Sequence, residues 1–209
     1  VEYVTCTSHR EVAQALTDMV TQSLGPYMAA GMGMVLAAHE AKDMPRERAW
    51  EYLNAAARVL YSARPTTARR MKEVTDAALA VAKTALDAGE SAVEAVFEHT
   101  VAQANCRYEQ AAAIAGYFVE LLPDRPCTLL TQCFAESNVG FIFKEIARRG
   151  LDVKIVCPET RPYLQGARLT ASVAYDQGMD VTVITDNMPA ALMQQGRIDV
   201  FTAAADAIC

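Results

Sequence analysis

Two side chains that can exchange protons follow separate apolar segments in the second half of the sequence. Cys133 comes after residues 127–131, and Asp206 comes after residues 198–203. If both segments are strands of one parallel sheet, the two side chains emerge at the same edge, where ligands of such sheets bind. A thiol and a carboxylate at one edge are typical of an acid–base pair, so we predict a catalytic site there.

Each residue at this edge also has a purely structural interpretation. Cys133 is consistent with a small apolar residue that opens a helix, and Asp186 or Asp206 with a helix N-cap. Arg161, which precedes a proline, is consistent with a surface ion pair. Residue types and spacing alone leave both interpretations open.

Helices must position most of the first half of the chain. Apolar residues recur with the 3.6-residue helical period over most of residues 8–121. Ser8 and Thr66 are candidate N-caps, and Gly31 and Gly33 allow close helix packing. The predicted helices cover residues 8–20, 26–39, 46–62, 66–86 and 91–121, the last with a break near Asn105.

The second half has a different periodicity. Short apolar segments alternate with amphipathic stretches, as in βαβ units with a parallel sheet. Gly150, Gly178 and Gly196 each follow a predicted helix, where a left-handed cap is favoured. We therefore predict an α/β protein with a helical N-terminal domain over residues 1–122 and a Rossmann-like domain over 123–209, whose sheet we expect to be truncated at its C-terminus. The predicted strands are 127–131, 153–157, 181–185 and 198–203.

Composition excludes several classes of protein. The 209-residue chain has a formal net charge of −6, which argues against a nucleic-acid or anionic-membrane binder. No apolar run reaches the ~18 residues that a membrane helix needs. The six cysteines include no C-x-x-C pair, so we expect no metal site and mostly reduced, buried thiols. We expect a cytoplasmic protein.

A long string of residues, 159–171, reads E-T-R-P-Y-L-Q-G-A-R-L-T-A. It resembles the signature of the methylthioribose-1-phosphate isomerase family, which is related to ribose-1,5-bisphosphate isomerases and to regulatory subunits of the exchange factor for eukaryotic initiation factor two. Three further segments resemble family motifs in the expected order. These segments are 63–68 (A-R-P-T-T-A), 130–133 (L-T-Q-C) and 204–208 (A-A-D-A-I).

The resemblance implies roles for individual residues. Cys133 and Asp206 become the catalytic pair, Gln165 and Arg64 bind the sugar phosphate, and Arg161 is a further substrate-binding candidate. It also implies a helical domain before a Rossmann-like domain, a homodimer, and isomerisation without metal or other cofactor. The substrate is then 5-methylthioribose 1-phosphate or a related 5-deoxypentose 1-phosphate.

Departures from the family pattern keep two alternatives open. Gln132 replaces the histidine before the cysteine, Ala207 replaces an arginine, and only Pro26 remains of an early R-G-A-P motif. One alternative is ribose-1,5-bisphosphate isomerase, with Arg69 and Arg70 as weak candidates for the second phosphate. The other is a non-catalytic sugar-phosphate-sensing subunit, a class that tends to lack the cysteine and the aspartate.

Overall fold

The computed structural model describes residues 3–203, apart from the side chain of Glu136. The chain divides into two compact units, Val1–Cys106 and Arg107–Cys209. The helices of the described residues are α1 (His9–Thr17), α2 (Gly25–Ala41), α3 (Arg46–Ser62), α4 (Ala68–Ala88), α5 (Ala92–Glu120), α6 (Glu136–Arg149), α7 (Ala171–Asp176) and α8 (Pro189–Gln194). The strands are β1 (Cys127–Leu130), β2 (Val153–Pro158), β3 (Val181–Ile184) and β4 (Val200–Phe201).

The first unit is a helical bundle built around small residues. The Ser8 hydroxyl accepts the backbone N–H of Glu11 and so caps α1 as predicted. A methyl group on Gly31 would lie 2.7 Å from the Thr100 side chain, and one on Gly33 would lie 2.7 Å from Leu60. The two glycines therefore allow the close helix packing that the sequence indicates. The core consists mainly of alanine, leucine, valine and methionine.

Three helix predictions in this part of the chain are wrong in detail. The first helix ends at Thr17, and Val20 is exposed after it, because Met19 adopts a left-handed conformation that ends the helix. Thr66 lies in a 3₁₀ turn, Pro65–Thr67, and caps no helix. The last predicted helix is unbroken, so α5 continues through Asn105.

The second unit contains a parallel sheet in the order β3-β2-β1-β4. Cys127 pairs with Val153 at the start of β1, and Leu129 pairs with Val200 of β4 on its other side. The chain therefore adds strands on one side of β1 and then returns to its other side. The carboxyl ends of β1 and β4 flank this reversal, which is where ligands of open α/β sheets bind.

Side chains alternate between the two faces of the sheet, as the period of a strand requires. One face carries Leu129 and Ile155 and packs with residues of α5, α6 and α7. The opposite face carries Leu130 and Val156 and packs with Leu192 of α8. Both faces are thus apolar at β1 and β2, as is typical of a parallel sheet that helices cover on both sides.

Three glycine caps agree with the sequence prediction, whereas the last strand is shorter than predicted. Gly150, Gly178 and Gly196 all adopt left-handed conformations after helices, as predicted. The fourth strand is only Val200–Phe201, shorter than predicted, and the carboxylate of Asp199 just before it accepts the Thr128 N–H.

The fold class is confirmed: a helical N-terminal part precedes a parallel α/β sheet. The domain boundary at residues 122 and 123 stays a prediction, since the division by contacts falls inside α5.

Candidate functional site

Cys133 lies in the loop that joins β1 to α6. Its thiol is half-buried, and its backbone has a φ of 54°, in the left-handed region. The interpretation of Cys133 as a residue that opens a helix is wrong, because α6 begins three residues later at Glu136. A left-handed residue with a Cβ costs about 1–2 kcal/mol, so surrounding contacts must hold the loop.

One such contact comes from the signature segment. The Thr170 hydroxyl donates a hydrogen bond of 2.5 Å to the backbone carbonyl of Cys133. Thr170 is fully buried and is the last residue of a π-helical turn, Gly166–Thr170. The two family-like segments are therefore joined by a direct hydrogen bond at the carboxyl edge of neighbouring strands.

The loop after β2 is held by a carboxylate from the next strand end. Asp186 accepts the backbone N–H groups of Thr160 and Arg161, each at 2.7 Å. The prediction that Asp186 is an N-cap is wrong, since α8 begins at Pro189 and has no side-chain cap. Its carboxylate instead fixes two consecutive amides of the signature.

The same loop contains two further left-handed residues, Thr160 and Leu164. The Leu164 N–H donates to the Thr160 carbonyl at 2.7 Å, which closes a tight turn between them. Gly166 follows, and a Cβ at this position would lie 1.8 Å from the carbonyl oxygen of Pro158. Only glycine permits this approach, so the glycine of the signature has a clear steric basis.

Arg161 and Gln165 lie on this loop but in different surroundings. The Arg161 side chain is 70% exposed, and its Nε donates to Glu159 at 3.1 Å. The surface ion pair that the sequence left open is therefore present. Gln165 is half-buried, and its Oε1 atom is fully buried. Their roles in substrate binding stay predictions.

Arg64 belongs to the first unit, where it immediately precedes the 3₁₀ turn Pro65–Thr67. Its side chain is half-buried, and its carbonyl accepts the N–H of Thr67. Arg70 stacks on the Tyr27 ring at 5.1 Å, while Arg69 is almost fully exposed beside Glu73. Arg69 and Arg70 therefore lie on a largely solvated helix face.

Asp206 and the segment 204–208 lie outside the described residues. Of the five predicted site residues, the structure therefore describes four. Cys133, Arg161 and Gln165 follow the neighbouring strands β1 and β2, whereas Arg64 lies in the other unit.

The other cysteines differ from Cys133. Cys127 and Cys157 are buried in strands, and burial raises the pKa of both thiols. Cys106 is exposed and Cys6 is half-buried. The expectation that most thiols are buried is therefore wrong for the described residues, where two of the five are. A buried thiol with a raised pKa is a poor nucleophile or acid, and Cys133 differs from these two because it is half-buried in a loop at the carboxyl edge of the sheet.

Among residues 3–203, no group of three or more histidine, cysteine, aspartate or glutamate side chains is arranged to hold a metal ion. No helix in the same part of the chain is long and apolar enough to cross a membrane.

Known proteins resemble this chain in sequence. The model of the Initiation factor 2 subunit family matches residues 23–209. A Pseudothermotoga lettingae protein named methylthioribose-1-phosphate isomerase 1 is 33% identical over 100% of this chain and 62% of its own length. A Thermosipho africanus protein named methylthioribose-1-phosphate isomerase is also 33% identical, over 99% of this chain and 61% of its own length. The chain thus spans about three fifths of these curated relatives.

Solved structures also resemble this chain in fold. The translation initiation factor eIF-2B subunit delta from A. fulgidus has a TM-score of 0.78 at 30% identity, covering 99% of this chain and 62% of its own. The 5-methylthioribose 1-phosphate isomerase from Pyrococcus horikoshii has the same TM-score at 28% identity, covering 96% and 58%. Proteins with an enzyme name and proteins with an initiation-factor name share this fold.

Proposed function

The chain belongs to the Initiation factor 2 subunit family, and we propose that within this family it acts as a sugar-phosphate isomerase. The proposed reaction converts 5-methylthioribose 1-phosphate, or a related 5-deoxypentose 1-phosphate, to the corresponding ribulose 1-phosphate. The relatives named methylthioribose-1-phosphate isomerase, which match essentially the whole chain, support this choice.

The observation that carries the proposal is the position of Cys133. It follows β1, and β4 is the neighbour of β1 across the reversal in strand order. In sequence, Asp206 follows β4, so the two proposed catalytic residues come after the strands that flank this point. Ligands of open α/β sheets bind at such a point, which supports a thiol and a carboxylate acting on one substrate.

The chemistry requires two proton-exchanging groups. An aldose 1-phosphate carries its phosphate on the anomeric oxygen, so its ring does not open freely to an aldehyde. Isomerisation must open the ring at its oxygen, move a hydrogen from C2 to C1, and remove the proton of the C2 hydroxyl. We assign to the Cys133 thiol the proton that the ring oxygen gains as its bond to C1 breaks, and to the Asp206 carboxylate the proton that the C2 hydroxyl loses as the C2 carbonyl forms. No atom is gained or lost overall.

Substrate binding needs cations and amides around the phosphate and the sugar. We assign these contacts to Arg64, Arg161 and Gln165. A guanidinium binds phosphate through two parallel hydrogen bonds, and an amide serves both donor and acceptor hydroxyls of a sugar. We further propose a homodimer in the cytoplasm, which light scattering and cell fractionation will test.

A non-catalytic, sugar-phosphate-sensing subunit is the second candidate. The similarity to a structure named as a subunit of translation initiation factor eIF-2B favours it. Cys133 and Asp206 favour the enzyme, because a sensor needs no acid–base pair. The two candidates therefore differ in whether these residues control turnover or binding.

The test is turnover of 5-methylthioribose 1-phosphate and of ribose 1,5-bisphosphate by the whole protein. Cys133→Ser and Asp206→Asn should each lower kcat by about 10²–10⁴-fold, the range for general acid–base groups. Substrate affinity, measured by calorimetry, should change far less. Cys106→Ser, at an exposed cysteine, and Asp124→Asn, at an exposed aspartate, are matched controls that should leave kcat unchanged.

The opposite results would decide for the second candidate. Binding of a sugar phosphate without turnover by the wild-type protein would support a sensor. If ribose 1,5-bisphosphate is turned over faster than 5-methylthioribose 1-phosphate, the proposed substrate changes but the proposed isomerase reaction stays.

A further inference from the structure

The hydroxyl of Thr170 makes an unusual contact for a helical threonine. Four other threonine hydroxyls in helices donate to carbonyls three or four residues back along their own chain, as Thr100 does to Val96 at 2.8 Å. The other three are Thr75, Thr84 and Thr17, and the Thr17 hydroxyl also lies 3.0 Å from the more distant Ala63 carbonyl. Thr170 instead donates to Cys133, which is 37 residues away in sequence. Its hydroxyl thus contributes nothing to its own turn and acts on the loop of the proposed catalytic thiol.

The acceptor of this bond is well placed to control that loop. The carbonyl belongs to the left-handed residue itself, so the bond fixes the peptide that follows Cys133. Thr170 is fully buried, and a hydrogen bond made from a buried hydroxyl is stronger than one made in water. Without the hydroxyl, the carbonyl of the half-buried Cys133 loses a donor, and Cys133 can relax from a conformation that its Cβ disfavours.

We propose that Thr170 is a positioning residue, which holds the Cys133 peptide so that the thiol faces the reacting atoms. The proposal rests on the isomerase function proposed above. Thr170 itself is assigned no contact with substrate. Thr170, the final threonine of the signature, therefore connects the proposed substrate-binding loop to the proposed catalytic cysteine through its hydrogen bond.

The first test measures the chemical reactivity of Cys133 and requires no substrate. Alkylation by iodoacetamide is followed for each cysteine by peptide mass spectrometry, with exposed Cys106 as the reference in the same molecule. In Thr170→Val, the half-buried thiol should gain mobility and react about fivefold faster relative to Cys106, the factor that corresponds to one lost hydrogen bond. Thr170→Ser, which keeps the hydroxyl, should react like the wild type.

A matched control separates positioning from general loss of stability. Thr100→Val removes a hydroxyl from another buried threonine, also bonded to a carbonyl, but in the other unit. It should lower the unfolding midpoint as Thr170→Val does and leave the alkylation rate of Cys133 unchanged. Equal acceleration by both variants would overturn the proposal, as would an unchanged rate in Thr170→Val.

The second test is kinetic. Thr170→Val should lower kcat about 10- to 100-fold through misplacement of the thiol, while KM stays nearly constant. Thr170→Ser should restore kcat. A rise in KM at constant kcat would place Thr170 in substrate binding and overturn the proposal. If the wild-type protein has no isomerase activity, the proposed function fails, whereas the alkylation test still decides the role of Thr170.

A third measurement needs no variant and applies if Thr170→Val fails to fold. The Thr170 hydroxyl proton of the wild-type protein should exchange slowly enough with water to be observed by NMR. Exchange as fast as that of a surface threonine would show that the bond to Cys133 does not persist, and would overturn the proposal.

Discussion

In the helical unit, the buried His9 ring belongs to a cluster of polar side chains that bind one another, whereas in the α/β unit Asp186 and Thr170 bind the backbone of loops at one edge of the sheet. The buried His9 ring contacts the Glu40 carboxylate at 2.5 Å, and the Tyr52 hydroxyl donates to the same carboxylate at 2.8 Å. This cluster joins three helices. In the other unit, Asp186 and Thr170 instead bind backbone groups of Thr160, Arg161 and Cys133.

The difference shows where each unit tolerates unfavourable backbone conformations. The left-handed residues with a Cβ in the described part of the α/β unit are Cys133, Thr160 and Leu164, all in loops after β1 and β2. Those of the helical unit, Met19 and Ser23, lie in the link between α1 and α2. Such conformations persist only where surrounding bonds hold them, and they concentrate at functional sites. The hydrogen bonds to the backbone therefore indicate that loop conformation is most tightly fixed at the carboxyl edge of the sheet.

The largest effect is expected from one methyl group at Gly166. In Gly166→Ala, the Cβ meets the backbone carbonyl of Pro158 at 1.8 Å, so the loop itself must move. We expect a loss of about 1–3 kcal/mol in unfolding free energy and about 100-fold in kcat. Urea denaturation and steady-state kinetics measure the two effects.

The comparison variant is Gly33→Ala in the helical unit. Its methyl group meets the end of the Leu60 side chain, which can shift, and alanine favours the helix by about 1 kcal/mol over glycine. Its stability should stay close to that of the wild type, with kcat unchanged. Equal loss of activity in both variants would contradict the distinction between backbone and side-chain neighbours.

Two aspartates provide the next comparison, at opposite edges of the sheet. Asp186→Ala should accelerate amide exchange of the peptide 159–165 about tenfold and lower kcat by a similar factor, because two backbone amides lose their acceptor. Asp199→Ala removes an equivalent bond to the Thr128 N–H at the amino edge of β1. It should accelerate exchange only around Thr128 and leave kcat unchanged. Loss of kcat in Asp199→Ala would show that the two edges do not differ in this way.

Local patterns predicted the elements of this fold well. The 3.6-residue period gave α3 with its observed ends, and the apolar segments gave all four strands, although β4 is shorter than predicted. Gly150, Gly178 and Gly196 were identifiable because a left-handed cap favours glycine. Each of these signals lies within a few residues along the chain, so each can be recognised in sequence alone.

The supports of the candidate site could not be predicted in this way. The bonds from Thr170 to Cys133 and from Asp186 to Arg161 span 37 and 25 residues, and no periodicity reports such distances. The left-handed residues Thr160 and Leu164 lack the glycine that would have indicated them. The family resemblance identified the signature as important but did not reveal which of its residues are structural. The final threonine gave no sequence signal of its own beyond membership of that string.

A smaller effect, on stability alone, is expected from the polar cluster of the helical unit. Burial alone would raise the pKa of Glu40, but hydrogen bonds from His9 and Tyr52 outweigh it and hold this pKa below its ordinary value. Glu40→Gln should therefore cost about 1.5–3 kcal/mol at neutral pH, the range for hydrogen bonds to a charged group, and leave kcat unchanged. Exposed Glu51→Gln on α3 is the control.

The pH dependence of this variant follows from linkage. A carboxyl whose pKa is lowered in the folded state stabilises that state fully above its unfolded value, here 4.5, and loses this contribution as the pH falls through the lower folded value. The difference in unfolding free energy between the wild type and Glu40→Gln should shrink only below about pH 4.5. A difference that is constant down to the acid-unfolding transition would show that the cluster does not depend on the charge of Glu40.

The smallest effect is expected at Glu145, near the end of α6. Its carboxylate accepts hydrogen bonds from Arg148 and Arg149, which lower its pKa to about 2. Glu145→Gln should lower the unfolding midpoint by a small but measurable amount at neutral pH, because water solvates these arginines and the amide keeps an acceptor oxygen. The stabilisation should be complete above pH 4.5 and absent below about pH 2, as thermal unfolding over this range will measure. If the difference in unfolding midpoint between the wild type and Glu145→Gln disappears near pH 4.5, the carboxyl has an ordinary pKa. A loss of kcat in this variant would contradict the restriction of functional contacts to the carboxyl edge of the sheet.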